Sequence, residues 1–180
     1  MRAESLAMEL VEPQVDFDHF YAAQFRRVLA LAISLSGSRS AGEELTQDAF
    51  TEAYRNWSRI GSYDDPGAWV RRVVANRSIS RFRRVGREAL AMVRLSSASA
   101  PTASELDTVD ESFWAAVRTL PARQAQVIAL RYLDDLSIEE IANVLGISAG
   151  AVKSHLHRAR TDLAKTFTSS VQPDTTEESP

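Results

Sequence analysis

The stretch Leu136–Leu163, LSIEEIANVLGISAGAVKSHLHRARTDL, decides the fold. It reads as two short helices around a tight turn. Ser137 followed by Glu140 is a capping box, in which a hydroxyl and a carboxylate satisfy N–H groups that a helix start leaves unpaired. Ile138, Ile141, Ala142 and Leu145 then recur at helical spacing and give one apolar face. Gly146 ends that helix, because glycine enters a left-handed cap without a Cβ penalty. Ser148 is placed to cap the next helix, whose Val152, Leu156, Ala159 and Leu163 keep an apolar stripe. Lys153, Ser154, His155, His157, Arg158 and Arg160 face away from the stripe, with Asp162 as the acid among them. A small Ala142, a turn Gly146 and a stiff Val152 suit a helix-turn-helix, whose second helix would lie in a major groove. There Lys and Arg meet phosphates and base edges. A helical hairpin with a solvated basic face is the alternative, but caps, turn and charge asymmetry agree on DNA binding.

Upstream, the pattern stays helical. Residues 1–14 form an extension ending near Pro13, and Asp16–Gly37 carries a broad apolar face led by Phe17, Phe20, Phe25, Val28 and Ile33. Ser40–Trp57 opens with Ser40 and Glu43 as a second capping box, and Leu45, Ala49, Phe50, Ala53, Tyr54 and Trp57 form its core stripe. Glu44, Gln47, Asp48 and Glu52 lie off that stripe. By spacing alone they read as a solvated acidic face that also complements the helix dipole. Ser58–Gly67, SRIGSYDDPG, is a loop of turn residues. Ala68–Arg84 is the next helix, with Trp69, Val70, Val73, Val74, Ile79 and Phe82 packing inward while the arginines project.

Charge is distributed unevenly. The net charge is −3, yet Trp69–Arg87 holds seven arginines and no acid. Like charges repel at helical spacing, so such a run predicts a polyanion partner. Asn76 and Ser80, four apart, share a face with some of these arginines. Gly86 to about Asp110, rich in Ser, Ala and Thr, reads as a flexible linker and domain boundary. A second helical block begins near Glu111, with Phe113, Val117 and Leu120 as its stripe; Pro121 opens the next helix, whose Val127, Ile128 and Leu133 pack on the helix-turn-helix. Residues 167–180 read as a disordered acidic tail. The fold class is therefore all-α, with two small helical domains joined by a linker.

Several function classes are excluded. With no cysteine, thiolate zinc sites and a Cys nucleophile are absent, and no apolar run approaches the ~18 residues of a membrane span. The N-terminus has no signal-peptide layout, which predicts a soluble cytoplasmic protein. His155 and His157, two apart, lie on different helix faces and do not make a metal site. No phosphate loop or metal cluster supports a nucleic-acid enzyme.

In this order the pieces resemble an extracytoplasmic-function (group IV) sigma factor of bacterial RNA polymerase. The resemblance covers roughly Phe17–Arg84 as the σ2 domain and Glu111–Lys165 as the σ4 domain, giving expected boundaries of 15–85 for σ2, 86–110 for the linker and 111–166 for σ4. EELTQDAFTEAYRNW looks like the helix that docks on the β′ clamp helices of core polymerase, which turns Glu44, Gln47, Asp48 and Glu52 from solvent surface into a polymerase contact. WVRRVVANRSISRFRR looks like the helix that reads the −10 element, through Arg71, Arg72, Asn76, Arg77, Ser80, Arg81, Arg83 and Arg84. LPARQAQVIALRYLDDLSIEEIANVLGISAGAVKSHLHRAR looks like σ4. Its second helix would read the −35 element through Lys153, Ser154, His157 and Arg158, with His155 and Arg160 on phosphates.

The resemblance implies core polymerase, including its β and β′ subunits, and promoter DNA as partners, and an anti-sigma factor as a regulator. It implies no catalytic residue, metal or cofactor. Ser80 departs from the family, which often has Asp there, while Asn76 matches and is the first choice for contacting a base in the melted strand. A flipped base would find a pocket in the loop Ser58–Gly67 beside Asn76. The rival reading is a stand-alone helix-turn-helix repressor or response-regulator output domain, which leaves the basic helix and the linker unexplained.

Overall fold

The computed structural model describes residues 16–93 and 108–169; side chains are described for 16–79 and 111–168. Eight helices and no strand occur among the described residues. The first unit comprises α1 (Phe17–Ser36), α2 (Arg39–Arg55), the single turn α3 (Trp57–Ile60) and α4 (Pro66–Val93). The second comprises α5 (Thr108–Thr119), α6 (Ala122–Leu133), α7 (Ile138–Leu145) and α8 (Ala149–Ser169).

Helix boundaries follow local chemistry, with three shifts from the sequence expectation. Gly37, at φ 79°, closes α1 by donating its N–H to the Ile33 carbonyl at 2.8 Å. The chain then turns at once, so α2 is capped by Ser38 rather than Ser40: the Ala41 N–H donates to Ser38 Oγ at 3.2 Å. Glu43, freed from a capping role, pairs with Arg39 at 2.9 Å. The expected loop Ser58–Gly67 holds the turn α3, and α4 begins at Pro66 with Asp65 accepting from the Ala68 N–H at 2.9 Å. Proline suits that first helical position because its missing N–H would be unpaired anyway. Pro121 sits one residue earlier than expected, as the cap of α6, its carbonyl accepting from the Gln124 N–H at 2.8 Å.

The far end of α4 also differs. Helix continues through Gly86 to Val93, past the point where composition suggested a linker. Arg-Glu-Ala-Leu-Ala-Met is a run of strong helix formers, and one interior glycine costs only about 1 kcal/mol relative to alanine. The Ser/Ala-rich part of the expected linker, the N-terminal extension and most of the expected tail lie outside the described residues.

The two units pack directly on one another. α1 packs against α2, α4 and α6, and α7 lies on α4. Leu31, Val70 and Val74 from the first unit and Val117, Ile128 and Leu130 from the second are fully buried and belong to one continuous core. Burying each such side chain stabilises by about 1.5–3 kcal/mol. Across the seam, Gln126 Nε2 donates to the Ala75 carbonyl at 2.5 Å, so even a buried amide of α6 is satisfied by α4. An aromatic group, with Phe20–Trp57 ring centres 4.7 Å apart and Tyr21–Phe50 4.8 Å apart, fixes α1 on α2 and α3. No helix among the described residues is long and apolar enough to cross a membrane.

Candidate nucleic-acid and polymerase interfaces

α7 and α8 form the expected helix-turn-helix. At the start of α7 the Glu140 N–H donates to Ser137 Oγ at 3.2 Å and the Ser137 N–H donates to Glu140 Oε2 at 2.7 Å. Gly146 is left-handed, at φ 64° and ψ 40°, and Ser148 Oγ accepts from the Ala151 N–H at 3.1 Å. Val152, Leu156, Ala159 and Leu163 are buried, which rolls Lys153, Ser154, His157 and Arg158 out to solvent. His155 sits at the edge, half-buried, with Nδ1 buried and unpaired. Arg160 is exposed but held: its Nε donates to the Tyr132 hydroxyl at 3.1 Å and its guanidinium lies 5.9 Å from the ring centre.

The capping box carries a pH signature. Hydrogen bonds from the Ser137 hydroxyl and backbone N–H hold the Glu140 carboxyl below its ordinary value of 4.5. A depressed carboxyl contributes stability above the unfolded value and loses it as pH falls through the folded one. The start of α7 is therefore expected to loosen only below pH 4.5, with the Glu140 carboxyl titrating below that value by NMR. In Glu140→Gln the acid-dependent part of this loosening should vanish, since Gln keeps the box without a titrating group.

The basic helix α4 departs further from expectation. Its arginines do not all project. Arg71 is only 5% exposed, and its Nε donates to Asp134 Oδ2 at 3.0 Å, while Nη2 donates to Gln24 Oε1 at 3.1 Å. The Arg72 side chain crosses to α7, donating from Nε to the Val144 carbonyl at 2.8 Å and from Nη2 to the Asn143 carbonyl. Arg77 turns to the acidic face of α2, pairing with Asp48 at 2.8 Å and Glu52 at 2.5 Å. Asn76 is exposed, one turn beyond Arg72 on the same side of α4. Ser80, Arg81, Arg83 and Arg84 continue along α4, their side chains outside the described residues.

The acidic face thus has two parts. Asp48 and Glu52 are engaged by Arg77; Gln47 is exposed and lines a shallow aromatic groove with Phe17, Tyr21, Phe50, Thr51 and Tyr54. Tyr54 is 65% exposed there, a residue the sequence stripe had assigned to the core. Glu44 is exposed on the same helix. A second concavity is lined by Tyr63, Asp64, Asp65, Trp69, Arg72 and Asn143, at the loop where a base pocket was expected. Sequence reasoning missed Gln24, Asp134 and Asn143. Asp134 carried the signal of a turn residue after a helix, and nothing in its neighbours linked it to Arg71.

An exposed basic helix in a helix-turn-helix of one unit, with an arginine-rich helix in the other, suits a protein of two nucleic-acid-facing modules. Comparison with known families makes this specific: Sigma-70 region 2 matches residues 20–88 and Sigma-70, region 4 matches residues 110–163, together about two thirds of the chain. The RNA polymerase sigma-E factor of Streptomyces avermitilis is 29% identical over 145 residues, 81% of each chain. The ECF RNA polymerase sigma factor SigW of Bacillus subtilis is 29% identical over 157 residues, covering 77% of this chain and 82% of that one. Among solved structures, the sigma factor RpoE of Bartonella quintana, in complex with the anti-sigma factor NepR, aligns with a TM-score of 0.69 at 27% identity. That alignment covers 85% of this chain and 97% of the other, an extent that needs both helical units. The chain belongs to the sigma-70 family, in its extracytoplasmic-function group. It is a promoter-directing initiation factor and not an enzyme.

Proposed function

We propose that this cytoplasmic sigma factor joins core polymerase through the α2 face and region 4, and reads a −35 element with α8 and a −10 element with α4. The observation that carries the reading is the exposed quartet Lys153, Ser154, His157 and Arg158 on a helix whose opposite stripe is fully packed. Phosphate contacts by Arg72, Arg77, Arg81, Arg83 and Arg84 would supply sequence-independent affinity that falls with salt. Asn76 is the reader of an unstacked base, and the concavity around Tyr63 and Trp69 is where that base would go. An anti-sigma factor is the expected regulator, as RpoE of Bartonella quintana is bound by NepR.

In-vitro transcription with sigma-free bacterial core polymerase on a promoter library tests the assignment. Start sites that need the protein, with two aligned upstream elements, are expected. No stimulation, together with tight duplex binding by the chain alone, would favour the repressor.

The polymerase face has its own test. Asp48 and Glu52 already hold Arg77, so docking exchanges this arginine for basic groups of the polymerase. Asp48→Arg removes one acid and sets a second cation beside Arg77. Core affinity is expected to fall by about tenfold or more, roughly 1.4 kcal/mol, with the helical circular dichroism unchanged. Unchanged affinity in a competition assay with core polymerase would return this face to solvent.

A further inference from the structure

We propose that Tyr132 and Arg160 form a two-residue clamp for one backbone phosphate beside the −35 element. The Tyr132 hydroxyl is a donor to that phosphate and also sets which edge of the Arg160 guanidinium faces the DNA. The inference rests on the −35 assignment above.

Tyr132 lies in the last turn of α6, just after Val127, Ile128, Ala129 and Leu130, all of them fully buried. Its own ring is 53% exposed and adds little to that core. Arg160 follows Lys153 by seven residues on α8, roughly two helical turns, so the two stand on one line of the helix with His157 between them. All three side chains are exposed. The line that carries the proposed readers therefore runs, toward the C-terminal half of α8, into the Arg160–Tyr132 pair. When the first turns of a recognition helix meet base edges, its later turns are left for the flanking phosphates.

The chemistry of the pair suits such a phosphate. Arg160 Nε donates to the Tyr132 hydroxyl oxygen at 3.1 Å, and the guanidinium carbon lies 5.9 Å from the ring centre. A phenol oxygen that accepts one hydrogen bond keeps its own proton to donate. The bond uses the Nε–H of Arg160, which leaves both Nη groups as a fork for anionic oxygens. Hydroxyl and fork thus offer donors from two helices to one phosphate. Holding the long arginine side chain in advance also lessens the ordering that binding would otherwise require. Helix packing does not need this bond. Val152, Leu156, Ala159 and Leu163 are buried where α8 meets the helices beneath it, α6 among them. At the surface water competes for both partners, so the bond adds little to stability.

The test uses holoenzyme assembled from core polymerase and the full chain, with a labelled promoter duplex as the probe. Tyr132→Phe, Arg160→Ala, their double variant and Lys153→Ala are compared by anisotropy over a range of salt concentrations. Tyr132→Phe keeps the ring and the net charge, and its helical circular dichroism should match the parent's. It is expected to bind about fivefold more weakly, by the same factor on intact and substituted −35 elements, because a phosphate contact carries no sequence information. Its salt slope should stay at the parent's value, whereas Arg160→Ala should shallow the slope by about one. In the Arg160→Ala background, loss of the hydroxyl should cost less than about twofold, since both groups serve one phosphate. Parent affinity in Tyr132→Phe, with weakened binding in Lys153→Ala, overturns the clamp and leaves the −35 assignment standing. Parent affinity in both variants overturns the clamp and locates the failure in the −35 assignment. A full fivefold loss in the Arg160→Ala background overturns the shared phosphate, and a loss confined to one −35 sequence overturns the phosphate contact in favour of a base contact.

Discussion

Gly42→Ala is expected to destabilise the first helical unit by about 2–3 kcal/mol, lowering the melting temperature by roughly 5–10 °C. Two effects compete at this buried position in α2. Alanine is the better helix former by about 1 kcal/mol. Against that, a Cβ would lie 2.5 Å from Ile33 Cγ1 and 2.8 Å from the Ile33 Cα and N. Carbon atoms rest about 3.5–4.0 Å apart, so α1 and α2 would have to part by roughly 1 Å. The obstacle is backbone, which cannot rotate aside, so crowding outweighs propensity. Separating these helices would also disturb the aromatic packing of α1 on α2, and with it the groove that Gln47 shares with Tyr54. Gly146→Ala gives the contrast. Nothing lies within 4 Å of its added Cβ, and its cost is conformational only, about 1–2 kcal/mol for a left-handed residue. Urea denaturation of both variants separates the mechanisms: equal losses, or a stabilised Gly42→Ala, would mean that the helices yield more easily than this contact implies.

What could be read in the sequence follows the range of the interactions. Ser137 and Glu140 are three residues apart, and Gly146 and Ser148 end one helix and start the next within a single turn. Such signals are complete within the local chain, and all four residues act as expected. Ser40 shows where a local pattern misleads. It has the right acid three residues on, but the left-handed Gly37 turns the chain early enough for Ser38 to cap instead. The arginines of α4 are the harder case. Their excess of charge was legible, and their partners were not, because Asp134, Val144 and Asp48 lie 63, 72 and 29 residues away from the arginines they hold. A charged helix that faces a polyanion in one state can face the chain's own acids and carbonyls in another. Sequence patterning records the requirement for anions without saying whose they are.

Lys153→Ala combined with Arg158→Ala should remove −35-dependent initiation almost entirely, while Arg160→Ala should reduce it modestly. The difference comes from how each cation is held. Lys153 and Arg158 project from the exposed face of α8, free of the buried stripe. Arg160 is already committed to the Tyr132 hydroxyl and ring, so its removal costs packing on α6 as well as charge. A base-edge contact is worth about 1–3 kcal/mol, so losing two well-placed cations predicts roughly 30-fold to 10⁴-fold weaker use of the element. The salt dependence discriminates between their roles. If one residue contacts phosphate, the slope of log affinity against log salt should shallow by about one for that single variant, uniformly across sequences. If the other reads a base, its variant should keep the slope and lose discrimination at one position of the element. Transcription from promoters with a substituted −35 element, assayed with holoenzyme at several salt concentrations, reads both quantities at once. Full activity in the double variant would take the −35 surface off this face of α8, leaving its basic side chains as a solvated flank of the helix-turn-helix.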